Sequence, residues 1–266
     1  MNRQNKYILW FLSISLVLVA NTSFAQKLYK TTWTQVGTIF GSSAALMGGS
    51  LILENSRDPI SIKDLDLLDR QDVIGFDRNT SFNFSDNASS LSDYLKTGLY
   101  IAPIALMLSN QGRQNAKEIW IMYGEVFALN GSLTGIAKSG FGRYRPYAYN
   151  SDAPLELKLT ETTRKSFFSG HTSQAASLSF LTATIFDDLY PDSDWRYAIW
   201  AGAITTPAIM GYLRVKAGRH FPSDVIVGYG VGAMVGYFIP ELHKITKDTN
   251  FDIIGTESGL GLIFSF

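Results

Sequence analysis

The side chains with the most evident chemistry in this 266-residue chain lie in three short clusters between residues 138 and 224. The first cluster runs from Lys138 to Pro146, the second from Ser166 to His171 and the third from Arg214 to Asp224. Together they supply several cations, two histidines, a Ser-Gly turn and a carboxylate. These are the groups that a protein needs to hold a phosphoryl group and to transfer it through a histidine without a metal ion.

The elements that follow the second and third clusters are predicted to position these groups. His220 directly precedes an apolar run that starts at Pro222, and proline is tolerated in the first turn of a helix. Asp224 falls in that turn, so the imidazole and the carboxylate can meet. Ser169 precedes another predicted helix, and the free N–H groups at a helix N-terminus form a natural anion site.

The three clusters resemble the signature motifs of the type 2 phosphatidic acid phosphatase (PAP2) superfamily, which also contains bacterial class A acid phosphatases and vanadium haloperoxidases. The family pattern is K-x6-R-P, then P-S-G-H, then S-R-x5-H-x3-D. Phe168 replaces the usual proline of the second motif, and Leu213 replaces the usual serine of the third. The matching residues are Lys138, Arg145-Pro146, Ser169-Gly170-His171, Arg214, His220 and Asp224.

The resemblance implies a role for each matched side chain. His220 is the nucleophile that becomes a phosphohistidine, and Asp224 binds the other nitrogen of its ring. His171 is the general acid that protonates the leaving group and then activates water. The phosphate oxygens are bound by Lys138, Arg145, Ser169, Gly170 and Arg214.

Three further residues are interpreted more simply. Arg143 and Arg219 adjoin the motifs without an assigned role, although Arg219 could assist binding. His243 is predicted to lie on the surface. Aromatic residues near the motifs, namely Tyr144, Tyr147, Phe167 and Phe168, are predicted to serve packing in preference to lining a lipid-facing mouth.

The leading functional prediction is a metal-independent phosphatase of phosphomonoesters that uses no cofactor, with a small-molecule or lipid substrate. Phosphatidate, a polyprenyl diphosphate, lipid A and a soluble ester are all open as substrates. Two alternatives remain: a vanadium-dependent haloperoxidase at the same site, and a non-catalytic helical envelope protein that retains the fold. The formal net charge of zero argues against a nucleic-acid binder, and the oligomeric state is not predicted.

The N-terminus has the pattern of a secretory signal peptide. Arg3 and Lys6 precede an apolar run over residues 7–20, and Ser23-Phe24-Ala25 resembles a cleavage site. We therefore expect cleavage before Gln26 and a periplasmic protein. Residues 26–250 would form one helical domain, with its motif core at 116–240. The mature chain has no cysteine, so packing alone must stabilise it without disulfide bonds.

The apolar segments predict an all-α fold, a six-helix bundle of the PAP2 type. Glycines at 228, 230, 232 and 236 lie within the last helix and indicate close helix packing instead of a phosphate loop. Residues 251–266 are predicted to form an extended tail because apolar residues alternate with others from Leu260 onward. The predicted helices are 31–53, 94–109, 116–137, 171–186, 195–213 and 222–239.

Two regions bear on the surroundings of this bundle. Residues 54–93 contain nine acidic and four basic residues and are predicted to form a solvated surface connection, with a lid as the alternative. Glu118 and Glu125 in the third helix would be costly inside a bilayer. We therefore favour a soluble or membrane-associated periplasmic domain over a protein with six spans.

Overall fold

The computed structural model describes residues 27–245, 251–256 and 259–264. These residues form helices almost throughout, which confirms the predicted all-α class, although the number of helices exceeds six. The α-helices are α1 (Trp33–Asn55), α2 (Ile62–Asp66), α3 (Gly75–Arg78), α4 (Asp86–Leu99), α5 (Ala102–Leu106), α6 (Asn110–Gln114), α7 (Ala116–Phe141), α8 (Leu155–Lys158), α9 (Gly170–Leu189), α10 (Trp195–Lys216) and α11 (Pro222–His243). Short 3-10 helices span Arg70–Asp72, Asn79–Phe82, Pro146–Tyr149 and Glu161–Arg164.

Local capping sets where the long helices begin and end. Thr32 and Gln35 form a capping box at the start of α1, and Ser169 caps the start of α9 by accepting from the N–H of Thr172. Helix α7 ends at Phe141, and the left-handed φ of 56° at Gly142 stops the helix within the first motif. Thus the caps place all three motifs at helix ends.

Helix α9 is the centre of the bundle. It packs against α7, α10 and α11, while α1 packs on the outer side of α7. Small residues such as Ala175, Ala176 and Ser177 are fully buried along α9, so the neighbouring helices approach it closely. The motif-bearing ends of α7, α9, α10 and α11 consequently meet at one end of the bundle, which we call the site end.

Three glycines of α11 allow the closest of these contacts. A Cβ atom at Gly232 would overlap the carbonyl oxygen of Ser173, and one at Gly236 would overlap that of Ser177. At Gly228 a Cβ would lie 2.6 Å from the Ser169 carbonyl oxygen. The prediction of close packing is confirmed for these three glycines, whereas Gly230 faces open space.

A buried polar pair crosses the opposite, distal end of the bundle. His243 Nε2 lies 2.7 Å from Glu125 Oε2, and both side chains are fully buried. The prediction that His243 lies on the surface was therefore wrong. The reason is that Glu125, in the apolar run of α7, supplies a polar partner inside the core. Tyr29 is buried beside this pair and donates a hydrogen bond to Asp188.

The acidic stretch at 54–93 is folded onto the site end and is not simply a surface connection. Asp77, Ser81 and Ser92 are fully buried. Helix α4 begins at Asp86, because the Ser85 side chain accepts from the N–H of Ala88, and it ends before Pro103. The single helix predicted over 94–109 is therefore divided, since proline cannot donate the N–H that would continue a helix.

Large apolar side chains are exposed on the outer faces of the bundle. Helices α1 and α11 are, by length and composition, long and apolar enough to cross a membrane. Trp33 is 90% exposed, and Ile52 and Phe238 are also exposed. Helix α1 is about 35 Å long at 1.5 Å per residue, compared with about 30 Å for a bilayer core. These surfaces favour association of the bundle with a membrane.

The C-terminal residues form a β-hairpin. Strand β1 (Phe251–Thr256) pairs antiparallel with β2 (Gly259–Phe264), in a register that runs from Phe251 opposite Phe264 to Thr256 opposite Gly259. The alternation from Leu260 onward predicted an extended segment that coincides with β2. Both strands lie within the extended tail predicted at 251–266, but their antiparallel pairing was not predicted.

The helix contact at Gly232 leads to a stability prediction. Gly232→Ala should destabilise the protein by about 1–3 kcal/mol because the new methyl group forces α9 and α11 apart. Gly230→Ala is the matched control: its Cβ meets open space, and alanine favours a helix by up to about 1 kcal/mol over glycine. Thermal or denaturant unfolding of both variants in the same detergent compares them. Equal stability of the two variants would contradict the described contact.

Candidate active site

Three cations converge at the site end, of which Arg214 is buried and Lys138 and Arg145 are half-buried. Lys138 is in the last turn of α7, Arg145 follows that helix, and Arg214 is in the last turn of α10. Lys138 Nζ donates to the carbonyl oxygen of Lys165 at 2.7 Å, and Arg145 Nη2 lies 3.4 Å from the same oxygen. Burial, and then the charges of Arg145 and Arg214, hold the pKa of Lys138 well below its usual range. The three cations therefore repel one another in a poorly solvated space.

The guanidinium groups of the cluster have unused donors. Within the part of the chain that the structure describes, the buried Nε atoms of Arg145, Arg214 and Arg219 have no hydrogen-bond partner. Burial, followed by the charge of Arg145, lowers the pKa of Arg214 to about 9. Unsatisfied buried N–H groups are costly, and a bound oxyanion would both satisfy them and relieve the repulsion. The chemistry of this end of the bundle is therefore suited to binding an anion.

His220 lies beside this cluster and is almost completely buried. Its Nδ1 lies 2.7 Å from the backbone carbonyl oxygen of Ser166, whereas the nearest oxygen of Asp224, Oδ2, is 3.8 Å away. The carbonyl can only accept, so it fixes the proton on Nδ1 and leaves Nε2 with its lone pair. The ring partner expected from the resemblance was Asp224. Instead, the main chain of the second motif orients the ring.

Asp224 organises the loops around His220. Its Oδ1 accepts from Arg143 Nη1 at 2.6 Å, and its Oδ2 accepts from Ser166 Oγ at 2.6 Å and from the N–H of Phe221 at 2.9 Å. Arg143 also bonds Asp77 at 2.7 Å, so it links the acidic stretch to the third motif. A fully buried carboxylate with three donors keeps both flanking loops in place.

The environment keeps His220 neutral. Burial, followed by the nearby positive charges of Lys138, Arg145 and Arg214, lowers the pKa of His220 well below its usual range. A neutral imidazole with a free Nε2 lone pair is the form that can attack an electrophile. The site therefore places a neutral imidazole with a free Nε2 lone pair beside a cluster of cations.

The second motif contributes through its backbone. Ser169 Oγ lies 2.9 Å from Thr172 Oγ1, and the Ser169 N–H donates to the Asp224 carbonyl oxygen at 3.0 Å. A Cβ at Gly170 would lie 3.0 Å from the Thr134 side chain, so the glycine brings the N-terminus of α9 against α7 near Lys138. The N–H groups in the first turn of α9 have no intrahelical acceptors and are oriented toward the site end.

His171, the other motif histidine, is contacted from α4. Its Nε2 lies 2.7 Å from Asp93 Oδ1 and 3.2 Å from Lys96 Nζ. Burial, and then the charges of Arg214 and Lys96, lower the pKa of His171 to about 3, although Asp93 opposes this shift. His171 is thus neutral in this arrangement of charges.

The two departures from the family pattern have packing roles. Phe168 is buried, and its ring makes an edge contact with the ring of Phe167. Leu213 is buried with Ala88 and Ala217, and Leu95 packs against them, so it holds α4 on α10. The side chains at positions 168 and 213 thus shape the surroundings of the site without adding polar groups.

An apolar groove lies beside the site, between α7 and α11, with a volume of about 700 Å³. Phe167 and Phe168, which directly precede Ser169, close its site end. Tyr147, by contrast, is fully buried and hydrogen-bonded to Thr163, so it does not line a mouth. The groove is lined by Leu133, Ile136, Ala137, Gly140, Phe141, Phe167, Phe168, Val227, Val231, Met234 and Val235.

All eight predicted site residues are gathered at the site end, and the structure adds residues that the motifs do not include. Arg219, with Nε buried in the cation cluster, and Arg143 could be suspected because they adjoin motif residues. Asp77, Asp93 and Lys96 come from sequence remote from the motifs. The only signal for the two aspartates was the excess of acidic residues at 54–93.

Comparisons with known proteins agree with this arrangement. Residues 119–247 match the PAP2 superfamily. Over 116 residues the chain is 30% identical to the lipid A 4'-phosphatase of Porphyromonas gingivalis, covering 41% of this chain and 44% of that protein. Over 132 residues it is 32% identical to the lipid A 1-phosphatase of the same organism, covering 45% and 25% respectively. The chain therefore spans less than half the length of these relatives.

A solved structure is also similar: a transmembrane PAP2-type phosphatidylglycerolphosphate phosphatase from Bacillus subtilis. The identity is 18% and the TM-score 0.48, over 75% of this chain and 94% of that one. The matched residues 119–247 contain all three motifs, most of α7, and the whole of α9, α10 and α11. Residues 119–247 therefore belong to the PAP2 superfamily.

Proposed function

We propose that this protein is a phosphatase that hydrolyses phosphate monoesters of lipids through a phosphohistidine at His220. The observation that carries the proposal is the group of cations, with unsatisfied guanidinium N–H donors, beside a neutral histidine. Phosphoryl transfer requires mainly positioning and charge stabilisation, and this cluster supplies both. Cation charge here takes the place that metal ions have in other phosphatases.

The reaction proceeds in two balanced steps. Nε2 of His220 forms a bond to phosphorus as the bond from phosphorus to the ester oxygen breaks, and protonated His171 gives its proton to the leaving alkoxide. Water then attacks phosphorus, His171 takes a proton from that water, and the bond from phosphorus to His220 breaks. Lys138, Arg145 and Arg214 bind the phosphoryl oxygens throughout, and inorganic phosphate leaves.

Binding of the phosphate favours the protonated form of His171, which the first step requires. Before phosphate binds, His171 is neutral because burial, Arg214 and Lys96 lower its pKa to about 3. A phosphate dianion between these cations offsets their charge, so its binding favours protonation of His171. His220 is more deeply buried and is held by a carbonyl, so it remains the neutral nucleophile. The same group of charges thus leaves His220 neutral as the nucleophile while His171 becomes protonated and acts as the acid.

Support for a lipid substrate comes from the surroundings of the site. The apolar groove between α7 and α11 reaches Phe168, one residue from the turn at Ser169. Exposed apolar side chains on α1 and α11 favour a membrane location, from which a lipid tail can enter this groove. The P. gingivalis relatives act on lipid A, so a phosphorylated lipid of that kind is the first substrate to test.

Export to the periplasm is part of the same proposal. The predicted signal peptide and the cleavage before Gln26 fall outside the described residues. N-terminal sequencing of the protein recovered from cell envelopes tests the cleavage directly, and a protein that retains residues 1–25 would contradict it.

The nucleophile is tested by comparing His220→Gln with His171→Gln on a 32P-labelled p-nitrophenyl ester, with a chelator present. We expect His220→Gln to lose roughly a thousandfold or more of activity and to form no labelled protein, because no lone pair attacks phosphorus. His171→Gln should accumulate acid-labile labelled protein, because p-nitrophenolate leaves without a proton whereas the second step lacks its base.

Two outcomes would contradict the mechanism. One is labelling of the His220→Gln variant at the wild-type level, and the other is loss of wild-type activity in the chelator. Unfolding temperatures of both variants, measured in the same detergent, serve as the control for folding.

The groove is tested with Gly140→Leu. A Cβ at Gly140 meets nothing within 4 Å, so the leucine side chain extends into the groove without disturbing α7. We expect roughly tenfold lower kcat/KM on a long-chain lipid phosphate and less than about twofold change on a soluble ester, because only tail binding is lost. Gly131→Leu is the matched control, since it also meets open space on α7 but does not line the groove. An equal loss on both substrates would exclude the groove as the tail site.

A further inference from the structure

Helix α4 lies outside the matched residues 119–247 and contains no family motif, yet one of its turns contacts the active site. Ser92 Oγ accepts from Arg214 Nη1 at 3.0 Å. Asp93 and Lys96 both contact Nε2 of His171. The buried patch around Leu213 holds this turn against α10. A single helical turn thus touches a phosphate-binding arginine and the acid–base histidine.

The contacts of Asp93 and Lys96 have opposite chemical requirements. A carboxylate can only accept a proton from Nε2, whereas an ammonium group can only donate to it. Asp93 Oδ1 is the nearer, at 2.7 Å against 3.2 Å for Lys96 Nζ. The geometry therefore favours the Nε2–H tautomer of His171, whose proton is directed at Asp93.

We propose that Asp93 and Lys96 are positioning residues for His171. Asp93 holds the Nε2 proton so that Nδ1 exchanges the catalytic proton, and Lys96 opposes the positive charge of the His171 ring. The catalytic half of this proposal rests on the proposed phosphatase function, whereas the ring form of His171 does not. The arrangement is that of an acid–base histidine oriented by a carboxylate, in which the carboxylate stays ionised.

The charges around His171 agree with an ionised Asp93. Desolvation opposes its ionisation, but the hydrogen bond from His171 and the charges of Arg214 and Lys96 produce a net lowering of the pKa of Asp93. The groups that face His171 are Asp93 and Lys96 from α4, Arg214 from α10 and His220 from the third motif. Among these described groups Asp93 is the anion, and its side chain is 56% exposed, so water screens part of its effect on His171.

The sign of each effect follows from charge. Removing Asp93 takes away a negative charge, so the protonated form of His171 becomes less favourable and its pKa falls. Removing the positive charge of Lys96 does the reverse. Because the first step requires protonated His171, activity falls as pH rises through its pKa in the substrate complex. In Asp93→Ala the alkaline limb of the kcat profile should therefore shift to lower pH by about one unit. In Lys96→Met it should shift to higher pH by about as much.

The leaving group provides a second kinetic measurement. Asp93→Ala should lower kcat on an alkyl phosphate roughly tenfold or more, because an alkoxide needs the proton of His171. On a p-nitrophenyl ester, whose leaving group needs no proton, the first step should change less than about twofold. Asp86→Ala and Lys63→Met are the matched controls, since both residues are exposed and contact neither histidine.

The tautomer of His171 can be measured without an activity assay. The full chain is labelled with 15N-histidine in detergent and its spectrum is recorded near pH 7, with His171→Gln to assign the signal. We expect the Nε2–H form of His171 in the wild type and in Asp86→Ala, and loss of that preference in Asp93→Ala.

The outcomes separate this proposal from the proposed function. An Nε2–H form that persists in Asp93→Ala overturns the role of Asp93, whether or not the protein hydrolyses phosphate. If the alkaline limb of the kcat profile moves in the same direction in Asp93→Ala and Lys96→Met, the proposal that Asp93 and Lys96 act oppositely on His171 is overturned. Absence of phosphatase activity in the wild type, with the expected ring forms, overturns the phosphatase and leaves the positioning of His171 intact.

Discussion

Mutual repulsion among poorly solvated cations is the constraint on which the rest of the site end depends. Desolvation disfavours the charges of Lys138, Arg145 and Arg214, and Arg145 adds to this effect by lowering the pKa of both other side chains. Such a cluster persists only where surrounding structure compensates for it, and here two backbone features do so. The Lys165 carbonyl oxygen accepts from Lys138, and helix ends converge on the space where an anion binds.

Farther from the phosphate position, buried carboxylates compensate for another positive charge. Asp224 and Asp77 neutralise Arg143, which lies between them, and this bridge connects the acidic stretch to the start of α11. The network does not touch the expected position of the phosphoryl group. Its role is to fix the loops that present His220, so the stability of the fold and the geometry of the nucleophile depend on the same contacts.

The sequence was sufficient for the parts of the protein that local rules determine. Spacing within the motifs identified Lys138, His171 and His220, and apolar runs located the long helices to within a few residues. It was insufficient where a residue's role depends on a distant partner. His243 is buried only because Glu125 faces it across the bundle, and Asp93 meets His171 only because α4 folds back over α10. No periodicity or spacing encodes such contacts between elements far apart in the chain.

The carbonyl of Ser166 that orients His220 belongs to the main chain. The Ser166 side chain has a separate role, because its Oγ donates to the buried Asp224 carboxylate at 2.6 Å. Replacing Ser166 would therefore leave the acceptor for the ring in place but remove one of the three donors to Asp224. An inserted or deleted residue between positions 165 and 169 would shift both the carbonyl and the hydroxyl away from their partners. The length of this segment is therefore constrained together with the side chain at position 166, whereas the side chain before Ser169 makes neither contact.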